Sequence, residues 1–169
     1  MDKYKKWFDR AFDLDIPVWM LPNLVERLRG TPARVTDRIE SLPGETLTRR
    51  FEDAWSIQEN IGHLLDLESL WSGRFDDFEN NKEVLRPADL ENKKTHGANH
   101  NRTPIKDILF MFREARNNIV RKIESYNEEL ILRPCLHPRL NKPMTVPGLT
   151  LFIAEHDDHH LALISRILK

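Results

Sequence analysis

At 169 residues the chain is long enough to bury one real hydrophobic core and not obviously two. Its 26 basic and 27 acidic residues leave a net charge of -1 and are spread along the whole sequence, which excludes the concentrated basic footprint of a nucleic-acid binder. The lone cysteine, Cys135, excludes an intrachain disulfide and a cysteine-built zinc site and suits a reducing cytosol.

The opening MDKYKKWFDRAFDLD is charged throughout. It has neither the apolar core of a signal peptide nor the roughly 20 apolar residues of a membrane span. A cytoplasmic protein with no membrane and no nucleic-acid partner is expected. Aromatic residues (Tyr4, Trp7, Phe8, Phe12) and the run IPVWMLPN then lead to a short helical piece, from about Leu24 to Arg29, that ends at Gly30. Thr31 followed by Pro32 reads as an N-cap and first-turn pair. It opens a first long helix whose Val35, Ile39 and Leu42 are spaced for one buried face, and Pro43 and Gly44 stop it.

The second helix starts at Ser56 and Glu59, an S-x-x-E pair in which each side chain satisfies a backbone N-H that the first turn leaves unbonded. Its buried stripe is Ile57, Ile61, Leu64, Leu67, Trp71, Phe75 and Phe78. A polar stretch of about 23 residues, Asn80 to Arg102, separates it from a third helix. Thr103 and Pro104 cap that helix, which is read to about Leu132 with Ile105, Ile108, Leu109, Phe112, Ile119, Ile123 and Tyr126 inward. The segment RPCLHPRLNKPMTVPG is too rich in proline for a helix, and it delivers the chain to a fourth helix from about Gly148 to Leu168.

No segment has a strand pattern. Four amphipathic helices of this length predict an all-α four-helix bundle, because each apolar stripe needs neighbours to cover it. The chain is expected to be one domain, residues 1-169, with residues 1-30 an N-terminal extension packed on the bundle. At ~3.3 Å per extended residue the long linker outreaches its ~33 Å helix, so helices two and three can be parallel across a crossover or antiparallel across a long loop.

The fourth helix carries HDDHH, three histidines in five residues. At about 100° per residue, His156 and His160 fall within about 20° of the centre of the face made by Leu149, Phe152, Ile153, Leu163, Ile164 and Ile167. His159 lies about 80° off, at the edge of the stripe. Asp157 and Asp158 read as outward or rim residues. Imidazoles at i and i+4 on a buried face can reach one metal ion at about 2 Å; the alternative is a pair of core histidines bonded to backbone carbonyls or water. His63, about 70° from the centre of the second helix's stripe, is a third ligand candidate or a surface-edge residue.

Asn60 is more inward than His63 and can orient a ligand, line a pocket or bond to a neighbouring helix. His96 and His100 either cover the mouth of the bundle or are solvated, and His137 is equally open. No phosphate loop, G-x-S-x-G elbow or H-E-x-x-H motif is present. The E-x-x-H pairs of di-iron bundles are missing too, so a mononuclear site fits better than a dinuclear one.

The segments WSIQENIGHLLDLESLW, ANHNRTPIKDIL and MTVPGLTLFIAEHDDHHLALI, with HPRL before the last, resemble the DinB/YfiT-like superfamily. The resemblance implies an up-down-down-up bundle with a long crossover between helices two and three. It also implies a divalent metal, zinc or nickel, bound by His63, His156 and His160, and a homodimer. The better understood branches activate a low-molecular-weight thiol, in thiol S-transferases and a thiol-dependent isomerase, and others are described as metal-dependent hydrolases. In either case the metal lowers the pKa of a bound thiol or water.

The expectation is therefore a metal-dependent enzyme with a small-molecule substrate, S-transferase-like or hydrolase-like. Asn60, Leu67 and His159 are the candidates for lining the pocket or supporting the ligands, and the resemblance supplies no catalytic base. The alternative is a non-catalytic, stress-related binding or dimerisation module with a vestigial metal site.

Overall fold

The computed structural model describes residues 5-52 and 54-169, so Tyr4 of the aromatic opening lies outside the described residues. In chain order the helices are α1 (Leu21–Ile39), α2 (Gly44–Thr48), α3 (Ile57–Glu79), α4 (Lys93–Gly97), α5 (Ile105–Glu124) and α6 (Glu128–Leu132). A hairpin of β1 (Cys135–His137) and β2 (Lys142–Met144) leads into α7 (Val146–Ile167). The four long helices α1, α3, α5 and α7 form the bundle. None of the helices among the described residues is long and apolar enough to cross a membrane.

Helix directions follow from which residues meet. Along the α1/α7 seam Arg27 bonds Glu155, Thr31 bonds Asp157 and Arg38 bonds Ser165, so both numbers rise together and the helices are parallel. The same holds for α3 and α5, where Glu68 meets Arg116 and Glu79 meets Tyr126. Asn60 meets His160 while Trp71 meets Phe152, which makes α3 and α7 antiparallel. The bundle is thus up-down-down-up, and residues 80-104 form the crossover that a parallel α3/α5 pair requires.

The crossover lies along α3. Leu85 N-H donates to the Leu136 carbonyl, the Arg86 guanidinium grips the Asp77 carboxylate, and left-handed Asn81, Asn92 and Asn99 turn the chain. Two α3 glycines permit the close approach. A Cβ at Gly62 would meet the His100 ring at 2.2 Å, and one at Gly73 would meet the Arg86 guanidinium at 2.0 Å.

Several boundaries differ from the sequence expectation. Thr31 and Pro32 are interior to α1, which begins ten residues earlier with Pro22 in its first turn. Pro32 lacks the N-H that would bond the Leu28 carbonyl, and Arg116 Nη1 donates to that carbonyl instead, at 3.2 Å. The third long helix ends at Glu124, and Asn127 caps the separate α6 through its bond from Leu130 N-H. Pro104, not Thr103, holds the N-cap position of α5, which has no side-chain cap. The proline-rich segment contains the antiparallel pair Cys135 to Met144 and His137 to Lys142. The capping box at Ser56 and Glu59 is present as expected.

Two apolar half-cores fill the bundle. One contains Val25, Leu28, Trp71, Phe75, Phe78, Ile119, Ile123, Leu149 and Phe152. The other contains Val35, Ile39, Ile57, Ile61, Leu64, Ile108, Phe112, Leu161 and Ile164. Between them every long helix turns polar at the same height: Thr31 on α1, His63 and Glu68 on α3, Arg116 on α5, and His156, Asp157 and His160 on α7.

Candidate metal centre

His156 and His160 are stacked one turn apart on α7, and His63 faces them from antiparallel α3. Ring centroids are 4.6 Å apart for His156 and His160, 4.9 Å for His63 and His160, and 5.4 Å for His63 and His156. All three rings are buried, and one nitrogen from each lies within 4.8 Å of the others.

Hydrogen bonds select which nitrogens are free. Asn60 donates its amide N-H to the Ser56 carbonyl at 2.8 Å, so its Oδ1 is the atom that accepts from His160 Nδ1-H at 2.9 Å. The Nε2 lone pair of His160 is therefore uncommitted. Thr95 fixes His63 in the same way. Its hydroxyl bonds both His63 Nδ1, at 3.0 Å, and the Asp66 carboxylate, which can only accept. The hydroxyl must donate to Asp66 and accept from Nδ1-H, which leaves His63 Nε2 free. His156 Nδ1 is buried and has no hydrogen-bond partner among the described residues.

Burial drives each imidazole toward its neutral form: His63 is pulled down to about 4, and His156 and His160 well below the usual histidine value. Neutral, oriented imidazoles whose outer nitrogens are held by hydrogen bonds are the donors that a divalent transition metal takes. The residues present fit such an ion. Burial would raise Asp66, but His100, Thr95 and Lys94 hold it below its ordinary value, so it remains a carboxylate that can anchor Thr95.

The histidines open onto a cavity of about 500 Å³. Trp7, Trp55, Leu67, Leu70, Phe152 and Leu163 give it mainly apolar walls, with Arg74, His137 and Arg139 among its polar ones and Pro87 to Leu90 of the crossover along its rim. Trp7 covers the His156 ring edge-on at 5.0 Å and packs on Phe152, so the N-terminal segment closes one side.

Residues 27–164 match the sequence model of the DinB superfamily. The chain belongs to that family. Among solved structures, YfiT from Bacillus subtilis, described as a probable metal-dependent hydrolase with an unusual four-helix bundle topology, superposes with a TM-score of 0.75 at 18% identity. That match covers 94% of this chain and 91% of YfiT. The mycothiol-dependent maleylpyruvate isomerase superposes with a TM-score of 0.67 at 9% identity, covering 87% of this chain and 60% of the isomerase. At these identities the likeness is one of fold. No curated protein is a significant sequence match.

Within this DinB-superfamily bundle the sequence candidates separate clearly. His63, His156 and His160 come together; Asn60 bonds His160, and Leu67 lines the cavity. His159 stays outside the cluster, half-buried on the cavity wall, where its Nδ1 accepts from Arg10 at 3.1 Å. His96 is exposed beside Trp55, whereas His100 is buried with its Nε2 2.7 Å from Asp66.

Asp157 is a correction. It was expected on the outside or the rim but is fully buried, accepting from Arg116 Nη1 at 2.5 Å and from the Thr31 hydroxyl at 2.7 Å. The flank of α7 that carries Asp157 meets Thr31 of α1 and Arg116 of α5 rather than solvent. Asp158 does lie at the rim, paired with Arg27 and Arg34. Sequence reasoning missed Thr95, Asp66 and the Glu68–Arg116–Asp157 cluster. The pair of glycines on α3, where a helix former would be better, was the available hint that another segment packs there.

Proposed function

We propose that the chain is a metal-dependent enzyme, one domain over residues 1-169, in which His63, His156 and His160 hold a divalent ion, zinc or nickel. A low-molecular-weight thiol or a water would take the remaining position, for S-transferase-like or hydrolase-like chemistry on a small molecule. The protein would work in the cytoplasm as a homodimer.

One observation carries this reading: three buried imidazoles converge, two with Nε2 left free by bonds at Nδ1 and the third with an Nδ1 that has no partner among the described residues. Three protein ligands leave an open position, as catalytic sites do and structural zinc sites do not. The descriptions of YfiT as metal-dependent and of the isomerase as mycothiol-dependent agree with it. A bound ion of this kind supplies a nucleophile at neutral pH by lowering the pKa of its thiol or water.

The chain's own residues do the rest. Asn60 and Thr95 hold two ligand rings in orientation and tautomer, and Trp7 and Trp55 shield the cluster from bulk water. Metal analysis of the purified protein tests the site. About one equivalent is expected in the wild type and none in the H156A/H160A double variant; a metal-free wild type, or a variant with unchanged metal content, overturns the proposal. With metal present, turnover of electrophiles that requires an added thiol marks the transferase, and ester hydrolysis without thiol marks the hydrolase.

A further inference from the structure

A second polar group lines the same cavity, and nothing in the metal reading uses it. Arg74 on α3, His137 on β1 and Arg139 in the hairpin turn lie together there. His63 and Arg74 are eleven residues apart on α3, three turns or about 16 Å along its axis, while His156 is nearer, bridged to Arg74 by the Trp71 ring, which lies 5.8 Å from the imidazole and 5.3 Å from the guanidinium.

Its hydrogen bonding does not close. The backbone N-H groups of Arg139 and Leu140 both point at His137 Nδ1, at 3.3 and 3.2 Å. Backbone N-H groups only donate, so Nδ1 is the acceptor and the ring proton of a neutral His137 is on Nε2. Nε2 faces Arg74 Nη1 at 3.1 Å, and a guanidinium also only donates. Two buried donors therefore confront each other.

Beside them Arg139 Nη2 is buried without a partner among the described residues, and its guanidinium rests over the Phe8 ring at 5.1 Å. Neither arginine has an ion pair among the described residues. Asp77, the carboxylate that acts on Arg74, is occupied by Arg86 through two side-chain bonds and a backbone bond, and Asp89 on the rim accepts from Glu91 and Lys93 N-H. A carboxylate seated against this group would give the facing Arg74 and His137 donors a common acceptor and the Arg139 guanidinium a counter-charge.

We infer that Arg74, His137 and Arg139 form a carboxylate-binding subsite, and that the molecule handled at the histidines is elongated, with an apolar middle and a carboxylate at the end away from them. The subsite stands on its own donors; only the statement that the far end of the ligand reacts rests on the metal reading. The walls between the two ends, Leu67, Leu70 and Phe152, match the apolar middle.

Octanoate and 1-octanol, titrated into metal-free protein and followed by calorimetry and by the fluorescence of the cavity tryptophans, test it directly. Octanoate should bind roughly ten- to hundredfold tighter than octanol. The difference should vanish in R139Q and survive in part in R139K, with circular dichroism unchanged. Equal affinities in the wild type, or full discrimination in a folded R139Q, overturn the subsite. The ω-thiol analogue of octanoate, with one equivalent of zinc, reads the other end. Tightening by zinc joins the two sites; absence of tightening in zinc-loaded protein with the octanoate preference intact overturns the single elongated ligand, and a protein that takes up no zinc overturns the metal reading, either of which leaves the carboxylate subsite standing.

Discussion

Two polar clusters share the mid-height of the bundle, and adjacent residues of α7 serve them: Asp157 points to Arg116, while His156 points to the cavity. In the first, Arg116 is fully buried and spends its donors on Glu68, Asp157 and the Leu28 carbonyl. Burial pulls its pKa down, but Asp157 and Glu68 more than reverse this. In the second cluster the described residues satisfy one nitrogen of His63 and of His160 and leave His156 Nδ1 without a partner. Both clusters are buried, so burial alone does not distinguish them. A buried cluster that completes its own hydrogen bonds supports the fold, and one that leaves acceptors uncommitted is built for something that arrives later.

The largest expected effect breaks the complete cluster. R116M leaves Glu68 and Asp157 buried without a cation and should cost ~3 to 5 kcal/mol in denaturant unfolding, whereas replacing all three charges by apolar residues of similar volume should restore most of that. A loss below ~1 kcal/mol for R116M would mean that the two clusters do not differ as described.

The next concerns pH and an imidazole that lacks compensation. Burial first, then Arg74 and Arg139, hold His137 down to about 4 in the folded protein, against 6.5 for an unperturbed histidine. Between those values the unfolded chain binds the proton and the folded one does not, so stability falls as the pH falls from 6.5 to 4. His137 alone contributes up to about 3 kcal/mol to that fall. H137N should remove the His137 share of this slope and leave the share of the other buried histidines, His63, His156 and His160; an unchanged slope would contradict it.

Smaller again is the effect of loosening one support of the incomplete cluster. N60A removes the bond that orients His160 and should weaken metal binding ~10- to 100-fold in competition with a chelator, while leaving the buried Nδ1-H unpaired costs the metal-free protein ~1 to 2 kcal/mol, less than R116M does. T95V should do the same through His63, nearer the tenfold end. A stability loss in either variant as large as that of R116M would erase the distinction between the clusters.

Helical phase made much of this legible. The i, i+4 pair His156 and His160, the border position of His63 and the inward amide of Asn60 could all be read from spacing, because each depends on the geometry of a single helix. The capping box at Ser56 and Glu59 was readable for the same reason. What escaped depends on distant partners. Thr31 and Pro32 carry a local helix-start signal, but a guanidinium from residue 116 covers the carbonyl that Pro32 leaves open, so the helix runs through. Asp157 points about 100° from His156 and so looked external to any reading that assumed one buried face per helix. His100 looked like a loop histidine until Gly62 gave its ring a place against α3.

The crossover has one more consequence. The segment that borders the cavity at Pro87 to Leu90 also carries Thr95, which holds the His63 ring, and it is pinned to α3 at Gly73 and Gly62. The doorway and the grip on one ligand are thus a single piece of chain. Widening the mouth by moving that segment would release His63 as well, so admitting a bulkier guest and holding the ion are linked choices for any variant of this protein.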